Sequence, residues 1–299
     1  MTDFKVDFQR YADMTERSLR DSITISGAPG DNVRNAAIYS LSAGGKRIRP
    51  VLCLAFAEMF GADLDEALIY ACAVEMIHTF SLIHDDLPGM DNDDIRRGKP
   101  TCHKVFGEGM AILAGDALLN EAYSLIINSD RSSVQSAKCI KSLKILAHAT
   151  GTNGMIGGQA IDIRAHSGTD GLGKLTTMYS MKTGALIKAP VMIAAVLAGV
   201  PDNIMESASG YAAATGLAFQ IKDDILDVES TSEVLGKSIG KDAAAGKNTF
   251  VSLLGIEKAQ SYLKESTKAA FTELDVLSEA GYDTGFIRKL TNYLLVRDN

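Results

Sequence analysis

The chain has 299 residues, 46% hydrophobic and 22% charged, the balance of an ordinary soluble globular protein and not of a disordered one. A formal charge of −7 disfavours a general nucleic-acid surface, so the basic runs GGKRIR and RRGK read as local anion sites. The longest uninterrupted apolar run, Ala189 to Val200, contains Pro190 and falls short of the roughly 20 residues a spanning helix needs, so no membrane span is expected.

From the N-terminus, Phe4, Phe8 and Tyr11 fall at i, i+4 and i+7, the helical period. The same stretch mixes charges with aromatics and offers no apolar signal region, which points to the cytosol. SITIS near Ser22 is the one tempting alternating run, and GAPGDN then breaks the pattern. Later apolar positions repeat helically, so the expected fold is all-α. A site assembled from both halves argues for a single domain over residues 1–299. Pro50 and Pro201 fit helix starts. The cysteines Cys53, Cys72, Cys102 and Cys139 lack metal-type spacing and read as reduced structural thiols.

The segment ACAVEMIHTFSLIHDD reads as a helix carrying a polar stripe, with His78 and Asp85 seven residues apart on nearly one face. Asp85 and Asp86 end it. Pro88 and Gly89 then break the chain and let Asp91 fold back toward the same place. Arg96 and Arg97 follow, and adjacent guanidinium groups beside carboxylates suit phosphate recognition.

In GTNGMIGGQ the glycines lack the order of a dinucleotide fingerprint and fit close helix packing, with Gln159 and Asp162 just beyond able to face a site. FQIKDDILDV carries a second cluster: Asp223 and Asp227 share a helix face, with Asp224 beside them and Gln220 one turn earlier. GKS at Gly236 is no P-loop, because Thr231 stands where that pattern needs glycine. Lys237, Lys241 and Lys247 sit on a glycine-rich connection from which ammonium groups could close over a diphosphate. Carboxylates this dense repel one another unless divalent cations neutralise them, and hard oxygen donors suit Mg²⁺ completed by substrate phosphate.

Taken in order, GGKRIRP, SLIHDDLPGMDNDDIRRGKPT, ILAGDALL, KTGAL, FQIKDDILD, LGKSIGKD and GKNTF resemble the trans-isoprenyl diphosphate synthases, especially bacterial farnesyl diphosphate synthases. The resemblance implies a helical bundle around a central cavity, a homodimer, and head-to-tail condensation of isopentenyl diphosphate with an allylic diphosphate. It implies Mg²⁺, three ions per site with Mn²⁺ as a substitute, held by Asp85, Asp86 and Asp91 and by Asp223, Asp224 and Asp227. Arg96, Lys182, Lys237 and Lys247 match positions that grip the allylic diphosphate. Gly45, Lys46, Arg49, His78 and Arg97 match the isopentenyl diphosphate pocket. Thr183 and Gln220, with the Lys182 carbonyl, match groups that stabilise an allylic cation.

Phe80 lies five residues before Asp85, about 7.5 Å down a helix at ~1.5 Å per residue, where a ring could floor the cavity. In the resembling family an aromatic there, together with the longer form of the first motif, DDLPGMD, implies a C15 farnesyl product. The small neighbour Ser81 keeps a C20 geranylgeranyl product open as the alternative. A non-catalytic regulatory subunit would keep the fold but lose acids or arginines, and none is missing.

Overall fold

A computed structural model describes residues 3–23, 25–129, 133–164, 171–229 and 248–295. Lys237, Lys241 and Lys247 lie outside the described residues. In chain order the helices are α1 (Phe4–Ser22), α2 (Asp31–Leu41), α3 (Ile48–Phe60), α4 (Leu64–Asp85), α5 (Cys102–Phe106), α6 (Glu108–Ile127), α7 (Ser133–Thr150) and α8 (Met155–Arg164). They continue as α9 (Leu172–Tyr179), a π-helical turn at Ser180–Gly184, α10 (Ala185–Ala198), α11 (Asp202–Glu229), α12 (Phe250–Leu254), α13 (Ile256–Glu279) and α14 (Gly285–Leu295). The fold is all-α, as expected.

Local chemistry sets the helix ends. Gly61 takes φ 77° and stops α3, with the Ala62 amide bonding back to the Ala57 carbonyl, a cap that favours glycine because it lacks a Cβ. Two residues on, the Asp63 carboxylate accepts from the Glu66 amide and starts α4. α11 begins at Asp202 directly after Pro201, while Pro50 falls in the first turn of α3, where a missing amide hydrogen is tolerated.

Of SITIS, Ser22 closes α1 and Ile23, Ile25 and Ser26 are not in a strand, while Thr24 lies outside the described residues. The strand pairing among the described residues lies instead in the RRGK run, as β1 (Ile95–Arg96) and β2 (Lys99–Pro100), antiparallel with Arg96 opposite Lys99. Arg97 and Gly98 form the turn with φ of 52° and 72°, both positive as a tight type I′ hairpin requires. The alternation there is too short to register as a strand period.

The core sits around α4, which buries residues on every side: Tyr70, Cys72, Val74, Met76 and Ile77 are all sealed from solvent. A helix buried on every side is a central helix. α3, α6 and α10 pack against it, and α13 lies along α11. A smaller cluster of Leu175, Met178, Tyr179, Ile221, Ile225 and Phe250 ties α9, α11 and α12 together.

Among the described residues, three helical stretches are long and apolar enough to cross a membrane by length and composition: Leu64–Asp85, Glu108–Ile127 and Leu172–Ala198. Scattered polar residues punctuate each stretch, so none is an uninterrupted apolar run. In the first and last most of the apolar window is buried within the protein, whereas α6 buries only 33% of its own. Ile112, Leu113 and Ile127 of α6, with Ile140 of α7, remain exposed.

Candidate active site

The first acid motif is shaped by the end of α4. Asp86 caps the helix, and the chain then doubles back: the Asp91 amide bonds to the Asp85 carbonyl at 2.9 Å and the Asp93 amide to the Asp86 carbonyl at 3.2 Å. The break expected at Pro88 and Gly89 therefore brings Asp91 beside Asp85. Burial pushes the Asp85 carboxyl up to about 6; Lys182 opposes that rise, and the negative neighbours Asp91 and Asp86 add to it. Asp86 is 3% exposed and also raised by burial, against the pull of Arg96, whose Nε lies 2.7 and 2.9 Å from its two oxygens.

Arg96 and Arg97 do not act as one clamp. The hairpin sends Arg96 onto Asp86, with Asp93 3.6 Å away, and sends Arg97 to the other side, where its Nη1 donates to the Gly44 carbonyl. Gly45, at φ 127°, is what makes room: a Cβ built there would lie 2.6 Å from Arg97 Cζ. Arg49 stands in the same basic pocket with its Nε buried and without a hydrogen-bond partner. Burial lowers the Arg49 and Arg97 guanidinium groups from their ordinary values, and Glu75 opposes this in both. His78 is held well below the usual imidazole value by burial and by the charges of Arg49, Arg97, Arg96 and Arg47, so its ring is neutral at pH 7. Lys46 points its ammonium over the Tyr293 ring, 5.6 Å from the centroid.

Two partners of this pocket escaped the sequence reading. Glu75, 1% exposed, takes Arg47 Nη1 at 2.6 Å and lies 4.0 Å from Arg97 Nη2. Arg47, embedded in GGKRIRP, is 3% exposed and also bonds Glu16 and the Leu41 carbonyl. It anchors the loop, while Arg49 faces the pocket and Lys46 turns to Tyr293. No spacing distinguishes these basic side chains. The one hint is Glu75 itself, an acid in an otherwise apolar helical run.

The second motif divides by helix face. Asp223 is exposed and Asp227 half-buried on one face. Asp224, 8% exposed and about 100° around the helix, accepts from Tyr179 Oη at 2.8 Å and from the Phe250 amide at 2.8 Å. Its oxygens clamp α11 to α9 and α12. The Asp223 charge reaches Arg49, where it counters the effect of burial, so the second motif and the basic pocket share one field.

Lys182 and Thr183 sit in the π-helical turn, a widened turn of a kind frequent at functional sites. Thr183 Oγ1 donates to Gln220 Oε1 at 3.0 Å, joining two of the expected cation-stabilising groups. Lys182 Nζ meets Asp162 Oδ2 at 2.6 Å. The glycines of GTNGMIGGQ serve close packing: a Cβ on Gly158 would lie 2.3 Å from the Lys182 amide nitrogen. Phe80, 6% exposed, meets the His84 ring edge-on at 4.9 Å, and Ser81 Oγ donates to the His78 carbonyl. His84 was also missed. Its Nε2 lies 3.1 Å from the Ile112 carbonyl and would be 2.2 Å from any Cβ on Gly115, which accounts for the glycine in ILAGDALL.

Among the described residues no group of three or more His, Cys, Asp or Glu side chains is gathered closely enough to hold a metal ion alone. The donor set nonetheless fits Mg²⁺, which takes one or two carboxylates per ion and completes its shell with water and phosphate oxygens. A raised, charge-crowded Asp85 is what such a site presents before a cation neutralises it.

An all-helical bundle with carboxylates at a helix break, a second acid motif on a later helix and a basic pocket between them defines the isoprenoid-synthase class of protein. The polyprenyl synthetase family model matches residues 31–281, and the chain belongs to that family of prenyltransferases. It is 41% identical over 300 residues to geranylgeranyl pyrophosphate synthase of Capsicum annuum, covering 99% of this chain and 79% of the relative. It is 44% identical over 283 residues to dimethylallyltranstransferase of Fischerella ambigua, covering 94% and 80%. Among solved structures, an FPP/GFPP synthase from Zymomonas mobilis superposes with a TM-score of 0.86 at 34% identity, covering 98% of this chain and 99% of the other.

Proposed function

We propose that the protein condenses isopentenyl diphosphate head-to-tail with dimethylallyl or geranyl diphosphate in the presence of Mg²⁺, and that its product is farnesyl diphosphate. The observation that carries this reading is the hairpin that points Arg96 and Arg97 to opposite sides: one anion site lies beside the acid motif and a second beside Gly45 and Arg49. A reaction between two diphosphates needs two such sites.

In this reading Asp85, Asp86, Asp91, Asp223 and Asp227 hold the ions, with Asp224 supporting them from its clamp on Tyr179. Arg96 and Lys182, with Lys237 and Lys247, bind the allylic diphosphate. Bound Mg²⁺ supplies charge that stabilises the departing diphosphate. As the allylic C–O bond breaks, Lys182 and Arg96 meet the negative charge that builds on the leaving group, and the Thr183 and Gln220 oxygens face the positive charge on the hydrocarbon. Gly45, Lys46, Arg49, His78 and Arg97 hold isopentenyl diphosphate with its double bond aimed at the cation; the new C–C bond forms and a proton leaves to the released diphosphate. The neutral His78 adds a hydrogen bond without a further positive charge among four arginines. The apolar walls exclude water, which would quench the cation.

The buried Phe80 ring, held edge-on by His84, supports a C15 limit. The names of the Capsicum annuum relative and of others at similar identity favour the second reading, a C20 product. The exposed residues of α6 and α7 suit a homodimer, and four buried thiols, none in a disulfide, suit the cytosol. The test is incubation with labelled isopentenyl diphosphate, an allylic starter and Mg²⁺, with and without chelator. A chelator-sensitive C15 product supports the reading, C20 moves it to the second, and no condensation with any starter leaves a regulatory subunit.

A further inference from the structure

Lys182 is not free to wait for its ligand. Its ammonium rests 2.6 Å from Asp162 Oδ2, and the Asp162 side chain is only 9% exposed. The contact is built into the backbone: α8 can approach the π-helical turn this closely because residue 158 is glycine, where a Cβ would strike the Lys182 amide nitrogen at 2.3 Å and its Cα at 2.7 Å. One turn before Asp162, Gln159 leaves its Oε1 buried and without a hydrogen-bond partner, so α8 offers further acceptor capacity on the same side. Lys182 also acts electrostatically on Asp85. The ammonium is thus held by a carboxylate on α8 within electrostatic reach of the acid motif assigned to the allylic diphosphate.

We propose that Asp162 is a positioning residue that exchanges Lys182 with the diphosphate: it holds the ammonium in the empty site, yields it to the incoming anion, and recaptures it as inorganic diphosphate departs. This rests on the synthase reading above. A charge-assisted hydrogen bond of this length competes directly with the one Lys182 makes to the ligand, so Asp162 weakens diphosphate binding and speeds release. A carboxylate that merely braced the fold would act with the opposite sign, since its removal would loosen the site.

The test is calorimetric binding of inorganic diphosphate with Mg²⁺ to the full chain and to Asp162→Asn, each with Lys182 present and with Lys182→Gln. Asp162→Asn binds roughly tenfold more tightly, the weight of one hydrogen bond to a charged group, and product inhibition by diphosphate strengthens to match. In the Lys182→Gln background the same change has no effect, because the two side chains act as a unit. Asp162→Glu, which keeps the charge, binds as the parent does. Should Asp162→Asn fold poorly, Asp162→Ser carries the same expectation. Weaker or unchanged binding in the neutral variants, or an equal change without Lys182, overturns the exchange. Condensation is measured alongside. A parent that turns over without this coupling removes the exchange and leaves the synthase, whereas coupling in a parent that never condenses removes the synthase and leaves the exchange.

Discussion

Gly45→Ala separates the two anion sites. At φ 127° an L side chain is strained, at a cost of about 1–3 kcal/mol, and the new Cβ would lie 2.6 Å from Arg97 Cζ and 2.8 Å from its Nη2. The obstructing atoms are the far end of a flexible side chain, so Arg97 swings out and the protein still folds. What is lost is the bond from Arg97 to the Gly44 carbonyl and the placement of its guanidinium beside Arg49 and Glu75. A missing hydrogen bond to a charged ligand is worth about 1.5–3 kcal/mol, so KM for isopentenyl diphosphate rises roughly 10- to 150-fold. KM for the allylic substrate stays within about twofold, because Arg96 remains on Asp86. The assay is steady-state condensation with each substrate varied in turn, with a melting curve to confirm folding. If both constants rise together, or neither moves in a folded variant, the assignment of Arg97 and Gly45 to a separate isopentenyl diphosphate site is wrong.

The acids of the second motif part company by role. Asp223→Asn lowers kcat and raises the Mg²⁺ requirement with little change in melting temperature, whereas Asp224→Asn, which disturbs the clamp on Tyr179 and the Phe250 amide, destabilises by about 1–3 kcal/mol; equal melting curves would undo this distinction. Phe80→Ala opens the cavity and moves the product from C15 toward C20, seen by chain-length analysis, at a stability cost of about 3–5 kcal/mol; lost stability with an unchanged product would make Phe80 a core residue only. His78 sets a pH dependence. Its folded pKa lies below the unfolded value near 6.5, so the unfolded chain gains a proton first, and stability is present above about pH 6.5 and falls below it, by at most ~1.4 kcal/mol per pH unit. His78→Gln removes that component in denaturant titrations at pH 7 and 5.5; an identical loss in the variant would assign the acid sensitivity elsewhere.

The sequence alone determined the helical fold, because apolar residues at the 3.6-residue period and glycine at α3's end act through local backbone geometry. It also determined the break after Asp85, since Pro88 and Gly89 cannot continue a helix. The acids, arginines and lysines could be collected in order, yet their partners could not be assigned, because adjacent charges along a chain look alike. Only the tertiary structure decided that the hairpin parts Arg96 from Arg97, that Arg47 is sealed against Glu75 while Arg49 keeps an unpaired Nε, and that Asp224 turns from Asp223 to Tyr179. The hairpin itself is local, but where Arg97 lands at Gly44, Arg47 at Glu75 and Asp224 at Tyr179 depends on groups brought together from distant parts of the chain. What a charge does there is set by its burial and its nearest opposite charge, and neither is a local property of sequence.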